Sequence, residues 1–314
     1  MLAEQVRSGL VETLHDGAVA IVDSTGELVA WAGDIERPFF FRSAAKPFQA
    51  TISQAAGAGL VPEELAIACA SHDGEAVHLA MVESMLARSG LSEADLQCPP
   101  DWPIRAEAER RLLLAGEHQP RRLFHNCSGK HTAMLRACVS SGWDPARYLD
   151  PGSPLQEQVT ELISEVSRID VRIGVDGCGA PVHSTTVLGM ARAFLRLAVD
   201  DAFTPVYRAM HAYPRLVSGI NNADAAIAVN ANAVAKRGAR GALGVSVRHR
   251  FGMAVKCWDG SDQVAGMTAI AALDELEVFP ANAWEPLQRH RQPRVTGGGV
   301  PVGAYRSLLE LQWA

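Results

Sequence analysis

RSAAKPFQA, residues 42–50, holds a lysine in a chain that hardly uses lysine. Of its 29 lysines and arginines, only Lys46, Lys130, Lys236 and Lys256 are lysine. Arginine meets the generic surface needs here. A retained lysine therefore points to something arginine lacks, an amine that can lose its proton near neutral pH when desolvated. Ser43, Ala44, Ala45 and Lys46 form an S-x-x-K tetrapeptide at the start of a helix predicted over about 46–59. Pro47 fits the first turn of such a helix, where an amide has no intrahelical partner. A spacing of three puts the lysine amine on the face of the hydroxyl. Serine becomes a competent nucleophile when a neighbouring base takes its proton, and a lysine of lowered pKa is such a base. The helix start adds N–H groups that can hold an oxyanion. Standing alone, the tetrapeptide reads more simply as a helix N-cap. Lys236, in AKRGAR, reads as a surface lysine.

Outward from this stretch, strand character lies towards both chain ends. Residues 18–22 and 28–31 form two apolar runs joined by Asp23, Ser24, Thr25 and Gly26, a hairpin pattern. Helical periodicity dominates about 60–215, as in AVHLAMVESMLARSGL and TTVLGMARAFLRLAV. GALGVSVRHRFGMAVKCWDG returns to strand character around a turn near 250–252, QVAGMTAIAALDELE predicts a further helix, and RVTGGGVPVGAYRS a last strand or hairpin. The expected fold is α/β in the α+β sense: an antiparallel sheet of N- and C-terminal strands, helices flanking it, and a helical middle lobe. One unit of 314 residues is expected, its sheet lobe at about 1–60 and 215–314 and its helical lobe at about 60–215.

With 48% apolar and 20% charged residues, the chain has the composition of a globular protein able to bury a large core. A formal charge of −6 with dispersed arginines argues against a nucleic-acid partner. No apolar run approaches the roughly 20 residues of a membrane span. The first residues lack a signal-peptide pattern, so the expected compartment is the cytoplasm. The six cysteines form neither a zinc-ribbon pattern nor a disulfide framework, and free thiols are expected. Cys69, Cys98 and Cys138 read as small apolar packing groups.

Three further stretches concentrate chemistry. ASHDGE supplies Ser71, His72, Asp73 and Glu75. HNCSGKH gathers His125, Asn126, Cys127, Ser128, Lys130 and His131 within seven residues. DGCGAP gives Asp176 and Cys178 with Gly177 and Gly179, which allow close backbone approach to a ligand. Each alone could be a tight structural turn. Together with Lys256 on a predicted strand, they make a purely structural account a chain of coincidences.

In this order, RSAAKPFQA, ASHDGE, HNCSGKH, PGSPLQ and DGCGAP resemble the type II L-asparaginase family typified by rhizobial enzymes. The resemblance covers most of the chain and is densest from about 16 to 185. It implies a fold like that of serine β-lactamases and glutaminases, which agrees with strands at both ends. It implies Ser43 as nucleophile with Lys46 as partner, and Ser71 with Lys256 as a second Ser–Lys pair. Cys127, Lys130 and Cys178 match positions that bind zinc, a support for the substrate pocket rather than a hydrolytic metal. Lysine is unusual among zinc ligands and would bind as the neutral amine. Spacing alone would never pair Cys127 with Cys178, and buried free thiols are the simpler reading there. Arg42, Asn126, His131, Asp176 and Gly177 are the implied substrate contacts. A homodimer is also implied.

The C-terminal half departs from the family pattern. Arg240 stands where an acidic residue is expected, Ser153 where histidine is common, and residues 221–230 lack the usual Arg and Asp-Thr. These changes bear on substrate choice, since a buried unpaired charge is costly. The expected activity is hydrolysis of L-asparagine through an acyl-serine. The alternatives are the same chemistry on another amino-acid amide or ester, and a non-catalytic zinc- or amino-acid-binding protein.

Overall fold

The computed structural model describes residues 1–219 and 221–314. Its strands are β1 (Ala3–Arg7), β2 (Leu10–His15), β3 (Gly17–Asp23), β4 (Leu28–Ala32), β5 (Phe39–Phe40), β6 (Ile173–Val175) and β7 (Pro181–Thr185). Towards the C-terminus follow β8 (Ala233–Gly238), β9 (Ala242–Val247), β10 (Phe251–Cys257), β11 (Arg294–Gly297), β12 (Val300–Ser307) and β13 (Gln312–Trp313). The first six helices are α1 (Lys46–Ala55), α2 (Pro62–Ala68), α3 (Ala76–Ala87), α4 (Ala106–Leu114), α5 (Ser128–Ser141) and α6 (Pro154–Ser167). The rest are α7 (Val187–Val199), α8 (Thr204–Ala212), α9 (Pro214–Ser218), α10 (Ala223–Asn230), α11 (Asp262–Glu275) and α12 (Trp284–Arg291).

The main sheet has six strands in the order β13-β4-β3-β10-β9-β8, every pairing antiparallel. N-terminal β3 thus lies against C-terminal β10, the architecture expected from strands at both chain ends. Strand alternation explains why both faces are covered. Ala18, Ala20 and Val22 of β3 enter one apolar cluster, and Val19 and Ile21 enter the other. Helix α7 covers the first face and α11 the second. Glycine lets α7 lie close: a side chain at Gly252 would collide with the backbone of Ala191 and Leu195. Helices α1, α2 and α5 pack with α7 on the first face, where the core is largest.

The structure adds strands that periodicity did not reveal. Residues 3–15 hold β1 and β2, which join β11 and β12 in a separate four-stranded sheet. The short β6 and β7 of the helical region pair with β5, just before the 3₁₀ turn at Arg42–Ala45, in a third sheet. AVAKRG, read as a charged surface stretch, is β8, an edge strand of the main sheet whose residues are mostly buried.

Candidate active site

Ser43 lies in a 3₁₀ turn, Arg42–Ala45, directly before α1. Phe41 stands at the N-cap of that turn and Ala45 at the N-cap of α1, so Ser43 caps neither, and Pro47 sits in the first turn of α1, where its missing N–H costs nothing. The turn packs against β8, and Gly238 makes that approach possible. A Cβ there would collide with the carbonyl oxygen of Phe41. Ser43 is half-buried, whereas Lys46, one turn on, is 1% exposed.

The Lys46 amine donates to the Ala70 carbonyl at 2.5 Å and to Ser71 Oγ at 3.1 Å. Ser71 follows α2 in an extended segment pinned on both sides. Its N–H donates to Val217 O at 3.1 Å, and the N–H of His72 donates to Asn126 O at the same distance. On its other side Ser71 Oγ meets Lys236 Nζ at 3.2 Å. Lys46, Ser71 and Lys236 therefore form a continuous buried chain of amine, hydroxyl and amine.

Lys236 corrects the sequence reading twice. It is fully buried rather than a surface lysine, and it takes the place beside Ser71 that was expected of Lys256. Lys256 instead donates to the carbonyls of Arg240 and Cys257 and lies over the rings of Phe39 and Trp258. The reason is strand position. Lys256 sits on β10 beside Cys257, at the end away from the β9–β10 turn, whereas Lys236 sits on the edge strand that borders the 3₁₀ turn.

Burial pushes the Lys236 amine down to about 7, and the neighbouring Lys46 and Arg237 add to the shift. Asp224 opposes it: this buried carboxylate accepts the Arg237 N–H at 3.1 Å and the Ser218 hydroxyl at 2.7 Å. Burial, with nearby His78, Lys46 and His125, also holds His72 well below the usual imidazole range. A desolvated amine that is neutral near pH 7 can accept a proton from a serine.

Arg42, immediately before Ser43, has φ +53°, a left-handed conformation uncommon outside glycine. Its Nε lies 2.8 Å from Asp176 Oδ1, close enough for an ion pair although not aligned as a hydrogen bond. The guanidinium lies over Gly177, whose N–H donates to the same Asp176 oxygen at 2.7 Å. Arg42, Asp176 and Gly177 thus meet, although 134 residues separate the first two in sequence.

Cys127, Lys130 and Cys178 also converge. Lys130 Nζ lies 3.1 Å from Cys178 Sγ, and Cys127 donates a hydrogen bond to the same sulfur. That hydrogen bond and the Lys130 ammonium hold Cys178 far below the ordinary thiol range, whereas Cys127 is pushed well up. For Lys130 burial acts downwards, but the two sulfurs outweigh it and the net shift is upwards. Asn126 Oδ1 is 3.2 Å from Cys127 Sγ. His131 is fully buried with Nδ1 2.7 Å from Tyr148 Oη, so it braces the thiol pair from behind rather than lining an open cleft. Ser153, one of the departures, caps α6 by accepting the Gln156 N–H.

The family model for L-asparaginase II matches residues 3–307. The chain belongs to the L-asparaginase II family. Comparison with curated proteins finds no match. Among solved structures, a Bacillus glutaminase is similar at 15% identity and TM-score 0.48, covering 84% of this chain and 91% of that one. Mglu in its native form is similar at 14% identity and TM-score 0.47, over 84% of this chain and 64% of Mglu. The chain thus spans less than two thirds of Mglu.

Within this family member, Lys236 and Asp224 are the site groups that the sequence reading missed. A signal for Lys236 was available. Lys236 is one of only four lysines in an arginine-rich chain, the same scarcity that marks Lys46. Asp224 had none, since only the fold brings it beside Lys236. A cavity of about 390 Å³ lined by Asn222, Asp224, Arg237 and His290 also borders β8, but Ser43, Lys46 and Ser71 do not line it.

Proposed function

We propose that the chain is an amidohydrolase that converts L-asparagine and water to L-aspartate and ammonia through an acyl-serine intermediate. The observation that carries this reading is the buried Lys46–Ser71–Lys236 chain beside the turn that presents Ser43. Ser43 Oγ attacks the side-chain amide carbon as its proton passes to Lys46, which hands one through Ser71 to the neutral Lys236. The C–N bond then breaks as the amine nitrogen takes that proton and leaves as ammonia. Water attacks the acyl-serine, restoring the Ser43 hydroxyl and releasing aspartate. Ser71 links Lys46 to Lys236, so a proton arriving at one amine can be passed to the other. Backbone N–H groups at the 3₁₀ turn stabilise the oxyanion. Arg42, with Asp176 and Gly177 behind it, faces the α-carboxylate of the substrate.

Cys127, Lys130 and Cys178 would hold a zinc ion. The convergence of two sulfurs and an amine supports this. Bound there, zinc supplies a fixed positive charge to the pocket wall.

The test is ammonia release from L-asparagine, L-glutamine and a small amide panel, comparing the chain with its Ser43→Ala variant. Release from asparagine that vanishes in the variant is expected. Release that survives moves the attack to Ser71, and release from a different amide reassigns the substrate. No release by folded, zinc-loaded protein, with ligand-induced thermal stabilisation, would show a binding protein instead.

A further inference from the structure

A second donor cluster lies where β2 and β10 end, separate from Ser43 and from the Cys127–Cys178 pair. His15 closes β2, Cys257 closes β10, and Asp259 follows in the turn. One ligand atom from each lies within 4.8 Å of the other two. Asp259 Oδ2 is 2.5 Å from His15 Nδ1, while Oδ1 accepts from Cys257 Sγ at 3.0 Å and from the Ser261 N–H at 2.8 Å. His15 and Cys257 are buried, and the exposed Asp259 opens the cluster to solvent.

In the metal-free chain hydrogen bonds hold the cluster together: His15 Nδ1 pairs with Asp259 Oδ2, and the Cys257 thiol donates to Oδ1. Thr13 Oγ1 lies 3.1 Å from the other ring nitrogen, Nε2. Displacing the protons between these donors leaves a nitrogen, a sulfur and a carboxylate oxygen within 4.8 Å of one another. A divalent metal uses all three donors, and Thr13 then supplies the outer partner that metal-bound histidine characteristically has.

We propose that His15, Cys257 and Asp259 bind a divalent transition-metal ion of the zinc class, with solvent completing the coordination. One nitrogen, one sulfur and one carboxylate oxygen match the donor preferences of zinc. Binding releases the Cys257 thiol proton, while His15 and Asp259 contribute lone pairs. The ion ties the end of β10 to β2. Because the Cys257 N–H donates to Gly241 O at 2.8 Å, it also steadies the turn between β8 and β9. The proposal is independent of the catalytic reading.

Cobalt(II) titration tests it, since a thiolate–cobalt charge-transfer band reports a sulfur ligand. In a full-length chain carrying Cys127→Ser and Cys178→Ser, shown folded by circular dichroism, one equivalent of cobalt should produce the band. Cys257→Ser and His15→Gln should each abolish it, and Thr13→Val should weaken affinity by about 10- to 100-fold. Should that background misfold, zinc per chain in the otherwise unaltered protein decides: each of the two substitutions must remove one equivalent. A missing band in folded background protein, a band that survives Cys257→Ser, or zinc content unmoved by either substitution overturns the site.

Discussion

The hydroxyl of Ser71 lies 3.2 Å from the amine of Lys236, and that amine is fully buried. The same hydroxyl is 3.1 Å from Lys46. Two amines sharing one hydroxyl cannot both stay charged without cost. The tilt of Lys236 towards the neutral form resolves the conflict.

If Lys236 takes part as a neutral amine, Lys236→Arg should lower kcat by about 10²- to 10⁴-fold, because guanidinium cannot accept a proton. Lys236→Met should do the same with little change in volume. Steady-state ammonia release, with circular dichroism as a folding control, measures both. Near-normal turnover in the arginine variant would remove Lys236 from the mechanism.

The pH dependence follows from the same group. Burial pushes the Lys236 amine down to about 7 in the folded chain, against 10.5 for an ordinary lysine. Below about 7 the amine is charged and cannot accept a proton, so kcat/KM should rise with pH through that value. His131 does not produce this limb, since burial and the nearby Lys130 hold it at about 4. For stability, the unfolded chain binds the proton between about 7 and 10.5 while the folded chain does not. Folding stability contributed by this group should therefore increase with pH across that window and be lowest below it. Chemical denaturation of the chain and of Lys236→Met at several pH values would reveal a slope present only in the former.

Arg42 separates strain from function. Its left-handed backbone should cost on the order of 1–2 kcal/mol, which glycine would relieve. The partly exposed ion pair with Asp176 contributes no more than about 1 kcal/mol. Arg42→Gly should therefore keep or raise Tm while increasing KM by about tenfold or more. An unchanged KM would remove Arg42 from the substrate site.

Gly238→Ala should act on the turn that carries Ser43. The added methyl group meets the Phe41 carbonyl and must push the turn away. A displacement near 1 Å corresponds to a loss of about 10²-fold in kcat/KM. A fully active, normally stable variant would mean that the turn tolerates movement relative to β8.

Lys256→Met should lower stability by about 1–3 kcal/mol through the unsatisfied carbonyls of Arg240 and Cys257, and leave kcat within a few-fold. Collapse of kcat with unchanged Tm would restore Lys256 to a direct role.

Much of the fold was legible in short-range patterns. The continuous apolar run of residues 18–22 encoded a strand buried on both faces, and the Asp23–Gly26 turn encoded its hairpin partner. The scarcity of lysine singled out Lys46 and Lys130, but the same signal was set aside at Lys236. AVAKRG carries two adjacent cations, which read as solvated. Only β8 shows that Lys236 and Arg237 point to opposite sides of a strand. Asp224 was invisible for a related reason, since only the fold brings its charge near Lys236.

By itself the sequence determined the antiparallel sheet with its helical layers, the S-x-x-K turn and the family, because these depend on local periodicity, turn chemistry and motif order. The tertiary structure alone decided which lysine stands beside Ser71. That choice depends on which strand forms the sheet edge against the 3₁₀ turn, a contact between residues 165 positions apart. Desolvation, which moves the Lys236 amine towards neutrality, likewise exists only once the surrounding chain has closed over it.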